Sequence, residues 1–292
     1  MDKRAYLTRI GINDELEPSL ETLRLVQSRH LLSVPFENLN IHMYNKLTPD
    51  IHELFDKIVL QRRGGVCYEL NYLYMVLLEK LGYQTSFYGG KAGENGTFYD
   101  HSFPMVEIDG KRYITDVGFG DNFLYPLEFK PDVPQLDPKG IFTIEYEGGG
   151  YYTIYKEFGG KRFRLYTFTL NQRKLSDFNE RKIFYTTDPQ SHFFKNLIVS
   201  MELENGRISL KQNKLLFTEG NERRWIKVES FHHYVNLLFE YFGVVLTPQE
   251  RRKLKNSKFW NNSHNRRKTH ALLLASSVRQ NFSNRIGSFL GG

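Results

Sequence analysis

The chain has 292 residues, with 40 Lys and Arg against 33 Asp and Glu and a formal net charge of +7. With 40% apolar and 25% charged residues it has the make-up of a globular protein able to bury one large core or two to three small ones. Its 23 Phe and 18 Tyr predict aromatic-lined cores and pockets. A single cysteine excludes an intramolecular disulfide and any multi-Cys zinc site.

No run approaches the roughly 18 apolar residues that a membrane helix needs. The first residues carry no apolar stretch of the signal-peptide kind. A cytoplasmic protein without membrane attachment is expected. The positive charge is unevenly placed. Arg266, Arg267, Lys268, Arg279 and Arg285 lie after position 260, where there is no acidic residue. The body of the chain is nearly balanced, which argues against a nucleic-acid partner.

Residues 1–83 read as a mostly helical block. Leu16, Leu20, Leu23, Leu25, Val26, Leu31 and Leu32 mark a helix that must end before Pro35. Pro35-Phe36-Glu37-Asn38-Leu39 reads as a loop, and 50–60 as an amphipathic helix. Gly64-Gly65, which no helix interior favours, precedes Cys67. From Cys67 onward Leu70, Leu73, Tyr74, Leu77, Leu78 and Leu81 recur at helical spacing, and Gly82 supplies a C-cap.

From Gln84 the period changes to two. Residues 84–88 read as a strand broken by Gly89-Gly90, and 92–97 as a polar glycine-rich loop. Residues 102–108 and 111–116 flank an Asp109-Gly110 turn as a hairpin. A second hairpin surrounds Gly148-Gly149-Gly150, and 161–169 add another strand. Together 84–170 suggest a small barrel or curled sheet. Residues 171–205 read as a connector, 206–260 as short strands followed by two helices, and 261–292 as an atypical basic tail.

A cysteine at a helix N-terminus is placed where unpaired N–H groups and the helix dipole favour a thiolate. A lone cysteine also serves as a small buried hydrophobe. A nucleophile needs a base, and the base an orienting group. Among the nine histidines, His101 alone follows the glycine-rich loop and opens a strand. Asp116 lies on the other arm of that hairpin. Pairing Ile108 with Lys111 puts His101 opposite residue 118, with Asp116 one diagonal step away on the same face. A carboxylate on Nδ1 would leave Nε2 for a thiol.

Arg63-Gly-Gly-Val-Cys67-Tyr-Glu-Leu-Asn71 resembles the R-G-G-x-C-x-E-x-N signature of the arylamine N-acetyltransferases, bacterial type. Pro35-Phe-Glu-Asn-Leu39, the His101 strand, Asp116-Val-Gly-Phe-Gly120, Thr167-Phe-Thr-Leu170 with Asp177-Phe178, and Thr187-Asp-Pro-Gln-Ser191 resemble that family's blocks in the same order. The resemblance spans roughly residues 6 to 255.

It implies an α+β multidomain fold on a papain-like Cys-His-Asp scaffold, with an N-terminal helical bundle, a central β-barrel and a C-terminal α/β lid. It implies Cys67 as nucleophile, His101 as base and Asp116 as orienter. The cycle would be ping-pong, from acetyl-CoA to arylamines, arylhydrazines or arylhydroxylamines. Acetyl-CoA would be a co-substrate, and no cofactor or metal would be bound permanently. A Cys–His⁺ pair would keep the thiol ionised, Gly96 and Thr97 would touch the CoA pyrophosphate, and Phe36 and Phe119 would line the acceptor pocket. Arg63 and Glu37 form a plausible buried ion pair.

Phe184 stands where some members carry a CoA-contacting tyrosine, which Tyr185 could replace, and the tail after 261 does not resemble the family's usual C-terminus. Apart from the resemblance, a related-scaffold hydrolase or transglutaminase-like enzyme and a non-catalytic binding module remain alternatives. The sequence does not specify the oligomeric state.

Overall fold

The structure is a computed structural model that describes residues 1–93, 96–120, 122–211, 213–220, 222–257 and 260. The basic tail expected over 261–292 lies outside the described residues. Among the described residues no helix is long and apolar enough to cross a membrane.

The N-terminal part holds helices α1 (Lys3–Arg9), α2 (Leu20–Ser33), α3 (Leu39–Tyr44), α4 (Ile51–Phe55) and α5 (Cys67–Lys80). Ser19 caps α2 by accepting the Thr22 N–H at 3.1 Å, and the helix stops just short of Pro35. The segment expected as one helix over 50–60 is α4 followed by a π-helical turn, Asp56–Leu60. That turn includes Lys57, whose Nζ lies 2.8 Å from Glu69 Oε2 on α5. Leu70, Leu73, Tyr74, Leu77 and Leu78 of α5 are fully buried among residues of the other helices. At about 25 cal/mol per Å² of apolar surface, that burial is the main force holding α5 in place.

Pro35–Leu39, expected as a loop, contains strand β1 (Phe36–Glu37). It is extended because both sides are used: Phe36 bridges Gly65 in parallel and pairs with Ser200 antiparallel. The helical block thus lends a strand to a sheet whose other members lie more than 150 residues later.

The central sheet runs β2 (Gln84–Ala92), β3 (His101–Ile108), β4 (Lys111–Ile114), β5 (Leu127–Glu128), β6 (Gln135–Asp137), β7 (Gly140–Gly148), β8 (Tyr151–Phe158) and β9 (Lys161–Gln172). Its spatial order is β5-β4-β3-β2-β9-β8-β7-β6. The two end strands are clasped by Gln135, whose Oε1 accepts the Glu128 N–H at 2.8 Å and whose Nε2 donates to the Glu128 carbonyl at 2.9 Å. The sheet is thereby curled into a nearly closed barrel around Phe103, Ile114, Phe123, Phe142, Ile154 and Phe168. Gly89-Gly90 does not end β2: the strand runs on to Ala92 because Gly90 pairs with His101 on one side and Phe168 on the other.

Residues beyond the barrel form α6 (Asn179–Thr187) and α7 (His192–Lys195). A second sheet follows, of β10 (Ile198–Leu203), β11 (Gly206–Lys211), β12 (Lys214–Glu219) and β13 (Glu222–Lys227), ordered β1-β10-β11-β12-β13. β10 falls within the stretch read as a connector. Helices α8 (Phe231–Phe242) and α9 (Pro248–Lys255) complete this part. Tyr234, Leu238 and Phe242 of α8 pack on Val199, Ile208, Leu210 and Leu215. The helices, the curled sheet and the smaller α/β layer have the predicted α+β architecture.

Candidate active site

The chain enters α5 through a tightly braced turn. A Cβ at Gly64 would collide with the Pro35 carbonyl oxygen, so β1 and the turn can approach only with glycine there. Arg63, 2% exposed, donates Nε to Glu37 Oε1 at 3.0 Å, Nη1 to Glu250 Oε1 at 2.8 Å and Nη2 to Asn40 Oδ1 at 3.1 Å. The expected Arg63–Glu37 pair is present and extends to α9. Glu69 accepts the Val66 N–H at 3.1 Å, which satisfies a donor at the start of α5.

Cys67 is buried at the first position of α5. Gly118 lies against it: a Cβ at Gly118 would sit 2.7 Å from Cys67 Cα and 2.7 Å from Asn71 Nδ2. The thiol points at the Asp100 carbonyl oxygen, 3.9 Å away. His101, the next residue, is buried at the start of β3. Its Nε2 donates to Asp116 Oδ2 at 2.7 Å.

The hairpin register is as expected, with Ile108 opposite Lys111. Asp116, however, lies past the end of β4, in the turn leading to Gly118. The expected ring orientation is reversed. Nε2, at the far edge of the imidazole, meets the carboxylate. Nδ1, nearest the ring's own backbone, is the nitrogen that the carboxylate does not take.

Asp116 is fully buried and satisfied on both oxygens. Oδ1 accepts from Asn71 Nδ2 (2.8 Å) and the Gly118 N–H (2.9 Å), and Oδ2 from His101 and the Tyr166 hydroxyl (3.1 Å). Burial acts to raise its pKa, but His101 and these donors outweigh burial and hold it below the usual carboxylate value. Asn71 also donates to the Ser102 carbonyl (2.6 Å) and accepts the Val117 N–H (2.9 Å). It sits four residues after Cys67 on one helical face, so helical periodicity carries its signal. Tyr166 and Gln27, whose Oε1 accepts from Thr115 Oγ1 (2.6 Å) and the Asp116 N–H (3.3 Å), are 50 and 89 residues away from Asp116 and carry no local signature.

The thiolate expected at Cys67 is disfavoured in this arrangement. Burial, then the negative charge of Asp116, pushes the thiol pKa up, against hydrogen bonds from the Tyr68 and Ser102 backbone.

Phe119 packs edge-on against His101, ring centroids 5.0 Å apart, and lies 5.0 Å from Tyr166. Phe36 is half-buried, 5.8 Å from Phe193, beside the cluster that includes Cys67 and Tyr68. Thr97 donates its N–H to Asp100 Oδ2 at 2.7 Å and its hydroxyl to Oδ1 at 3.3 Å. Gly96 lies so close to the same carboxylate that a Cβ would strike Oδ2. Glu94 and Asn95 of that loop lie outside the described residues. Tyr185 donates to the Asp100 carbonyl (3.4 Å) and carboxylate (3.3 Å). Phe184 lies under Arg181, whose guanidinium is 4.2 Å from its ring centroid.

A groove of about 650 Å³, lined by His192, Lys211, Lys214, Leu216 and Trp225 among others, opens on the small sheet. Among the described residues no group of three or more His, Cys, Asp or Glu is placed to hold a metal ion.

A sequence profile described as N-acetyltransferase matches residues 19–252. The chain is 32% identical over 230 residues to arylamine N-acetyltransferase 2 of Macaca mulatta, covering 70% of this chain and 79% of that protein. The chain belongs to the arylamine N-acetyltransferase family. Solved structures agree. That of the arylamine N-acetyltransferase of Mycobacterium smegmatis superposes with a TM-score of 0.79 at 28% identity, covering 90% of this chain and 97% of that one. That of the Mycobacterium marinum arylamine N-acetyltransferase, solved in complex with CoA, gives 0.79 at 25% identity, covering 88% and 99%. The helical block, curled sheet and α/β layer are thus the family's fold.

Proposed function

We propose that this acyltransferase moves an acetyl group from acetyl-CoA to the nitrogen of arylamines, arylhydrazines or arylhydroxylamines, through an acetyl-Cys67 intermediate. The observation that carries the reading is the buried His101–Asp116 pair beside the Cys67 thiol, within a chain of this family.

In the first half-reaction Sγ turns from the Asp100 carbonyl toward His101 Nδ1 and gives up its proton as it attacks the thioester carbonyl. Asp116, held ionised, fixes the Nε2–H tautomer and stabilises the imidazolium. The new S–C bond forms, the bond to the CoA sulfur breaks, and that sulfur takes the proton. The amine then attacks acetyl-Cys67, and its proton returns to the thiol through His101. Thioester exchange is nearly balanced in energy, which suits a carrier that must both accept and release the group. Backbone N–H groups at the start of α5 face the developing oxyanion.

Phe36 and Phe119 offer a flat aromatic acceptor stacking and apolar burial. The Gly96–Thr97 turn would meet the pyrophosphate. Its Thr97 donors now serve Asp100, so the donor molecule must share or displace them. The cations of the 650 Å³ groove suit a polyanionic co-substrate. Acetyl-CoA is consumed and released, so no permanently bound cofactor enters the cycle.

Mass measurement of the intact protein after mixing with acetyl-CoA tests the proposal. The expected result is one acetyl adduct, absent in Cys67→Ala and discharged by an arylamine. Discharge by water as fast as by amine would make the protein a hydrolase. No adduct would overturn the transfer chemistry.

A further inference from the structure

We propose that Arg181 of α6 is a positioning residue for the nucleophile: clamped on Asp100, it neutralises a carboxylate held behind the Cys67 thiol and fixes the segment from which His101 projects. The proposal rests on the reading of Cys67 as nucleophile. Neither Arg181 nor Asp100 belongs to the signature blocks of the sequence.

The geometry is specific. Arg181 Nη2 lies 2.6 Å from Asp100 Oδ1, with the Asp100 side chain 4% exposed. The guanidinium lies over the adjacent rings of Phe184 and Tyr185, 4.2 Å from the first centroid and 4.8 Å from the second. These two ring contacts pre-order the fork and lower the cost of fixing it. The Asp100 carboxylate also gathers Thr97 N–H, Thr97 Oγ and Tyr185 OH. The same residue's carbonyl accepts the thiol and Tyr185 OH. One residue therefore ties the 97–101 turn to α6, takes the resting thiol, and leads directly into His101.

Charge makes the arrangement more than a brace. The groups around Cys67 are Tyr68 on its own helix, Asp100 and His101 at the start of β3, Asp116 after β4, and Tyr185 with Arg181 on α6. Asp116 is offset by His101. Asp100 has Arg181 as its cation. A carboxylate near a thiol disfavours the thiolate, and Asp100 adds to the upward push on Cys67. With Arg181 removed that carboxylate keeps its neutral donors but loses its counter-charge.

The test is the pH dependence of Cys67 alkylation by iodoacetamide, with Tm measured alongside. Arg181→Gln is expected to move the midpoint up by about one pH unit and slow alkylation at pH 7 about tenfold. Arg181→Lys, which keeps the charge, stays near wild type. Asp100→Asn moves the midpoint down, and the double variant Asp100→Asn/Arg181→Gln follows Asp100→Asn. A wild-type midpoint in Arg181→Gln, even with a lowered Tm, makes the residue a structural brace and overturns the proposal. So does a double variant that keeps the upward shift. If Arg181→Gln does not fold, an unchanged midpoint in Asp100→Asn overturns it. Acetylation of the wild type by acetyl-CoA is read in parallel. Its failure would sink the transferase reading and leave the alkylation series to judge Arg181.

Discussion

Replacing Asp116 by Asn removes one charge and almost no volume, so its effect isolates what the carboxylate does. Oδ1 now accepts from Asn71 Nδ2 and the Gly118 N–H, and Oδ2 from His101 Nε2 and Tyr166 OH. An amide has one acceptor oxygen, which can serve only one of these pairs. The backbone N–H of Gly118 cannot turn away, so the oxygen stays on that side and the new NH₂ faces His101 and Tyr166. The tyrosine hydroxyl can rotate to accept. The imidazole must move its proton to Nδ1, and it then presents N–H rather than a lone pair to the thiol.

By analogy with other triads, the wrong tautomer costs about 10⁴ in rate, or about 5.4 kcal/mol at 1.36 kcal/mol per decade. Formation of acetyl-Cys67, followed as CoA thiol release in single turnover, is therefore expected to fall 10³- to 10⁴-fold. The loss of charge-assisted hydrogen bonds should cost about 1.5–3 kcal/mol of stability. Nitrogen-15 spectra of the imidazole should show Nε2–H in the wild type and Nδ1–H in the variant. A variant that keeps more than a tenth of the wild-type rate, or the wild-type tautomer, would refute the reasoning. Because the folded pKa of Asp116 is depressed from 3.8, its stabilisation is present above that value and lost as pH falls through the folded one. The acid limb of a stability profile below about pH 4 should be shallower in Asp116→Asn.

Arg63→Ala leaves Glu37, 0% exposed, without its cation, and should cost about 3–5 kcal/mol in chemical denaturation; a loss below 1 kcal/mol would show that the buried network is dispensable. Gly118→Ala places a methyl 2.7 Å from Cys67 Cα and Asn71 Nδ2, so acetyl-Cys67 formation should drop at least about tenfold with a lowered Tm; wild-type kinetics would mean that the turn can move aside. Burial, with some help from the charge of Arg9, lowers the pKa of His30 from 6.5 to about 3. The unfolded chain therefore binds a proton that the folded one refuses. Stability from this group is full above pH 6.5 and is lost as pH falls toward 3, at about 1.4 kcal/mol per pH unit. Replacement by Leu should flatten the profile across that window, and an unchanged slope would place the acid sensitivity elsewhere.

Chain periodicity and local chemistry were enough for the long elements. Helix α5, its Gly82 terminus, the Asp109-Gly110 hairpin and the strands from 140 to 172 follow from patterns that short stretches impose on themselves. The proximity of His101 and Asp116, which are hydrogen-bonded at 2.7 Å, was also legible from the hairpin register, whereas grouping Cys67 with them drew on the family resemblance. Asn71 was within reach of the same reasoning, four residues along the helix from Cys67.

What the tertiary structure alone decided concerns contacts between distant segments. β1 is a strand because Gly65 and Ser200 flank it, β2 continues through Gly89-Gly90 because two neighbours pair with it, and β10 is ordered by β1 and β11. No local propensity encodes such partners. Packing also set which imidazole nitrogen meets Asp116, placed Tyr166 and Gln27 behind it, and buried the thiol deeply enough to favour its neutral form. Sequence named the candidate groups. Their protonation and orientation depend on burial and on neighbours far away along the chain, because desolvation and hydrogen-bond geometry exist only once the segments have come together.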